Sequence, residues 1–113
     1  MAHRVVQSNA YSSSGATEQE IKDIKNEIKT QLTGYTTWFA ECNDGQDEDG
    51  HYTIGVNVDF NNASQSNEFN VWLKQKYEDN TNKFDYARTR VHDCYHADDG
   101  NNQPCLIGDV WYL

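Results

Sequence analysis

From His51 to Phe60 the chain alternates strictly: Tyr52, Ile54, Val56, Val58 and Phe60 are apolar, and His51, Thr53, Gly55, Asn57 and Asp59 between them are polar or small. A period of two fits a β-strand with one dry face and one wet face, and it does not fit a helix. A sheet covered on both faces would instead read as unbroken apolar runs. The fold must therefore cover one face of an antiparallel sheet and leave the other to solvent.

Two helical segments can supply that cover. Thr17-Glu18-Gln19-Glu20 has the pattern of a capping box, ahead of Ile21, Ile24, Ile28 and Leu32 at helical spacing. This predicts an amphipathic helix over about residues 17–33, closed by Gly34 in the left-handed conformation. Its outer face mixes Lys22, Lys25 and Lys29 with Asp23 and Glu27, an ordinary solvated arrangement. A second helix is predicted with Ser66 as cap, Glu68 in the first turn and Phe69, Trp72, Leu73, Lys76 and Tyr77 on one side, ending near Asn80 to Asn82.

The remaining strands are read from β-branched and aromatic content. Tyr35 to Cys42 pairs with the alternating strand across a loop from Asn43 to Gly50, and Arg4 to Ala10 is a weaker first strand. Phe84 to His96 and Cys105 to Leu113 make a second hairpin around Ala97 to Pro104. The resulting order is β-α-β-β-α-β with an added C-terminal strand. That is the split arrangement of ferredoxin-like α+β folds, with two helices on one face. At 113 residues the expectation is one domain, residues 1–113, burying roughly two-thirds of its unfolded surface.

Charge narrows the partner. The formal net charge is −9, and between Lys29 and Lys74 there is no Lys or Arg, while Glu41, Asp44, Asp47, Glu48, Asp49, Asp59 and Glu68 all fall there. Such a field repels phosphate backbones, so direct nucleic-acid binding is disfavoured and a basic protein is the partner expected. The third strand also turns Thr53, Gly55 and Asn57 outward where an RNA-binding sheet places stacking aromatics. No segment approaches the roughly 20 apolar residues of a membrane span, and the first nine residues lack the apolar run of a secretion signal. Three cysteines, Cys42, Cys94 and Cys105, cannot all pair within one chain. Reduced thiols and a cytoplasmic location are expected.

Two candidate sites emerge. The first is the acidic set Glu41, Asp44, Asp47, Glu48 and Asp49, which would steer a basic partner, with Trp38 or Trp111 as an anchor if exposed. The function expected is that of a small acidic binding module of inhibitor, immunity or nucleic-acid-mimic type. It would be a monomer or homodimer; the alternative is a small metal- or thiol-dependent enzyme centred on His92, Cys94 and His96. The second, alternative site is the row Arg88, Arg90, His92, Cys94 and His96, which share one face if the stretch is a strand. Imidazole with thiolate is a zinc-type ligand set, and Cys94 beside His92 or His96 is the pairing of a thiol nucleophile with a base. However, His92 and His96 lie roughly 13 Å apart along a strand, so a third ligand would have to come from Cys105 or Asp109 across the hairpin. The plainer expectation is a small apolar Cys94 with the arginines paired to carboxylates such as Asp109.

No cofactor and no metal are expected. Asp47, Asp49 and Gly50 fall at EF-hand spacing, but Gly45 and Val56 occupy positions one and twelve, where acids are required. There is no Gly-x-Gly-x-x-Gly, Walker or Gly-x-Ser-x-Gly motif.

Overall fold

The computed structural model describes residues 3–94 and 106–113. The elements run β1 (His3–Ser12), α1 (Glu18–Leu32), β2 (Thr37–Gln46), β3 (Tyr52–Phe60), α2 (Ala63–Glu78), β4 (Tyr86–Cys94) and β5 (Leu106–Tyr112). The strands form one antiparallel sheet in the order β2-β3-β1-β4-β5. The chain is α+β, and both helices lie on one face. Ile21, Ile24, Ile28 and Leu32 of α1 and Phe69, Leu73 and Tyr77 of α2 share a single buried cluster with Val6, Ala10, Ile54, Val56, Val58, Phe60, Ala87 and Val91. Each fully buried Val, Leu, Ile or Phe among them stabilises the fold by roughly 1.5–3 kcal/mol before entropy is counted.

The α1 reading is borne out. Thr17 Oγ1 accepts from Glu20 N while the Glu20 carboxylate accepts from Thr17 N, so both halves of the capping box are made. The far end differs from expectation: Thr33 remains right-handed and Gly34 N donates to Gln31 O, a tightened last turn that needs no left-handed residue. At α2 the cap is Asn62, not Ser66. Asn62 Oδ1 accepts from Gln65 N, and Ser66, buried in the first turn, donates to Ala63 O.

β2 runs four residues further than predicted, because Asn43, Asp44, Gly45 and Gln46 pair with Gly55, Ile54, Thr53 and Tyr52. The turn is thereby cut back to 47–51 and closed by Gly50 at φ 82°. β1 lies at the centre of the sheet, between β3 and β4. Its core side carries Val6 and Ala10 but also Ser8 and Ser12, both buried beneath the helices. Ser8 Oγ bonds Arg88 O at 2.8 Å and the Tyr77 hydroxyl at 3.3 Å, which settles two polar groups inside the apolar layer.

Candidate functional site: the open sheet face and its acidic edge

Strand register assigns the uncovered face residue by residue. One row across all five strands reads Glu41, Asn57, Gln7, Arg90, Val110, and the next reads Asn43, Gly55, Asn9, Arg88, Tyr112. Both rows run from β2, which supplies the only acid, through side-chain amides to the arginines of β4. Three strand spacings separate Glu41 from Arg90, roughly 14 Å between backbones. The face is thus polarised within a chain that is acidic as a whole.

The β1 to β4 members of these rows line a concave depression of about 330 Å³ with Gly55 at its floor. Arg90 donates from Nε and Nη2 to Gln7 Oε1 at 2.9 and 2.6 Å. At the opposite side Asn43 donates to Glu41. Arg88 makes no side-chain hydrogen bond or ion pair among the described residues, and its Nε is shut off from water. The side chain of Asp109, the expected partner of the arginines, lies outside the described residues. The register sets Val110 and Tyr112 opposite Arg90 and Arg88, and β1 offers them amides in place of acids.

Beyond the depression a row of rings follows on the same face of the sheet. Tyr11 stacks on His51 and on Tyr86, each at 5.3 Å between centroids, and Tyr112 meets Tyr86 edge-on at 6.3 Å. Because the inner ring faces lie against one another, it is mainly ring edges that border the adjoining hollow lined by Tyr11 and Tyr86.

The acidic set divides in two. Asp44 points to the helix side, where Lys25 and Lys22 meet its two oxygens at 3.0 and 3.1 Å. Lys25 first and Lys22 second hold its carboxyl below the usual aspartate range. It is therefore not available to a partner, and its place among the partner-facing acids is corrected: parity puts it opposite Ile54, on the covered face. Glu41, Asp47, Glu48 and Asp49 are exposed. Asp47 Oδ1 accepts from Asp49 N and His51 N, and Nδ1 of His51 lies 3.4 Å from its other oxygen, so this acid also shapes the turn. Ligand atoms of Asp47, Asp49 and His51 come within 4.8 Å of one another. Three such groups fall short of the roughly six to eight oxygens of a calcium shell, and the turn itself accounts for their proximity.

Two and three residues before Glu41, at the opposite end of β2 from the turn acids, Phe39 is 49% exposed and Trp38 60% exposed on the edge strand, where the β2–β3 register slips between Thr37 and Phe39. Trp111, the other candidate anchor, packs against the core.

Of the alternative row, Arg88, Arg90 and His92 share the open face as the strand reading requires. His92 is 6% exposed between Val5 and Ile107 in register, and so is no accessible base. Cys94 ends β4, but its side chain lies outside the described residues, as do His96 and Cys105 entirely. The one thiol described, Cys42, is buried in the core, where desolvation pushes it up to about 11 and makes it a poor nucleophile.

The amides were the part sequence reasoning missed. Gln7 and Asn9 alternate on β1 as Asn57 does on β3 and Asn43 on β2, but only the pairing register brings them to one spot. No family model, no curated protein and no solved structure matches this chain.

Proposed function

We propose that the protein is a small acidic binding module that engages a basic protein through the β2 edge and the β2–β3 turn. The observation that carries this reading is the adjacency of two large exposed aromatics, Trp38 and Phe39, to exposed Glu41 on a strand whose outer edge is unpaired in the sheet. Exposed tryptophan is the residue type most enriched in binding hot spots, and surrounding carboxylates speed encounter with a cationic partner. Asp47, Glu48 and Asp49 extend the same sign along the turn. In the same reading the strand order is a ferredoxin-like plan. What supports it is a central β1 antiparallel to both β3 and β4, with β5 added beyond β4.

The test is a capture experiment from the native host with the intact chain at low and high salt. Proteins of high isoelectric point are expected on the native bait. They should be lost with Trp38→Ala and with Glu41→Gln/Asp47→Asn/Glu48→Gln/Asp49→Asn, and retained with Asp44→Asn. A captured set that is indifferent to the first two variants overturns the reading.

A further inference from the structure

We infer that the open face of the sheet is a binding site for a small hydroxyl-rich anion, of the chemical class of sugar acids, seated over Gly55 with its carboxylate on Arg88. This inference does not rest on the β2 docking reading, although Glu41 borders both surfaces.

Arg88 is the first observation. A guanidinium with no acceptor among the described residues, its Nε already out of water, stands beside Arg90, whose Nε and Nη2 both donate to Gln7. Its planar fork matches a carboxylate through two parallel hydrogen bonds.

Gly55 is the second. Glycine inside a strand weakens it and is expected where a turn, crowding or close approach demands it. Gly55 is not in the left-handed region, and a Cβ there would sit 3.9 Å from Asn9 Oδ1, an ordinary contact. Neither backbone nor packing calls for glycine at this position. The missing side chain instead opens a depression of about 330 Å³, at the lower end of the roughly 300–1,000 Å³ of small-molecule sites.

The third is the wall. The side-chain amides of Asn9 and Asn57 make no hydrogen bond to another described residue, and Asn43 and Glu41 stand next to them. Amides and a carboxylate together offer both donors and acceptors, the combination that a run of hydroxyls requires. An adjoining hollow of about 180 Å³ shares Asn9 and Gly55 and is bordered by Tyr11 and Tyr86. With the faces of those two rings turned on each other, a flat aromatic ligand finds little to stack on, whereas the C–H groups of a saturated ring can rest on ring edges. Glu41 sits three strands from β4 and so does not oppose the anion.

The test uses D-glucuronate, D-glucose and acetate as probes, followed by calorimetry and by the side-chain amide resonances of asparagine. Glucuronate is expected to shift Asn9 and Asn57 and to bind at least about tenfold more tightly than glucose or acetate. Arg88→Gln should remove the preference over glucose, and Arg88→Lys, which keeps the charge but not the fork, should recover only part of it. Gly55→Val fills the floor with a good strand former and should abolish binding with the melting temperature unchanged or raised. Trp38→Ala should bind glucuronate as the native chain does. A preference below tenfold, or one that survives Arg88→Gln or Gly55→Val in a folded variant, overturns the site.

Discussion

Asp44→Asn separates a carboxylate that the fold consumes from those it leaves to a partner. The substitution keeps size and shape and removes the charge that Lys25 and Lys22 hold at 3.0 and 3.1 Å. Exposed ion pairs contribute about 0.2–1 kcal/mol, and the Asp44 side chain is only 19% exposed with two cations on it, which puts the loss at about 1 kcal/mol at pH 7. For a domain of this length that is about 4 °C in Tm. The pH dependence has a definite sign. The folded carboxyl is depressed below its unfolded value, so its contribution is complete above the ordinary aspartate range near pH 4 and disappears as pH falls through the lower folded value. Urea unfolding of native and variant chains from pH 7 to pH 2 should therefore give curves that differ at neutral pH and converge in acid. Asp49→Asn, which removes an exposed acid with no cation bound to it among the described residues, should leave stability within about 0.5 kcal/mol. In a Lys25→Gln background the Asp44 effect should shrink, which a double-mutant cycle reads directly. A neutral-pH loss below about 0.3 kcal/mol, or a deficit that persists at pH 2, refutes the assignment of Asp44 to the fold.

Two other outcomes test the core. With its thiol raised from 9.0 to about 11, Cys42 should hold roughly a hundredfold less thiolate than an unperturbed cysteine near pH 8. Residue-resolved alkylation should find it inert until the chain unfolds. Phe69 is fully buried and within 6.1 Å, centroid to centroid, of Tyr35, Phe60 and Trp72, so Phe69→Ala should cost about 3–5 kcal/mol in chemical denaturation. Val71→Ala, two residues on and exposed, should change stability by less than about 0.5 kcal/mol.

The elements that were legible in the sequence are those with a single clear period. β3 alternates without exception, and α1 announces both its cap and its apolar stripe, so each lies where its residues predict. β1 was read as a strand but only weakly: with Ser8 and Ser12 on the core side its alternation is masked, and yet it is the central strand of the sheet. Asn43 to Gln46 look like a loop because Asn, Asp and Gly favour turns, yet pairing with β3 overrides that preference. The same parity that extends β2 carries Asp44 away from its acidic neighbours to the lysines of α1. Charge sign was readable in one dimension; charge direction required the register. The polar depression was the least legible, since its residues come from four strands and none is unusual alone.

The central position of β1 also bears on how the chain reaches this structure. Val6 lies opposite Val58 on one side and Val91 on the other, so its second neighbour is available only once residues 86–94 have been made. A nascent molecule must keep β1 unmatched, or matched on one side only, until β4 has been made at about 5–20 residues per second. Closure of so distant a pairing is slow relative to helix formation, which places α1 among the earliest structures and completion of the sheet among the last. Truncations that end before residue 86 would lack β4 and leave β1 as a raw hydrogen-bonding edge, open to pairing with another copy.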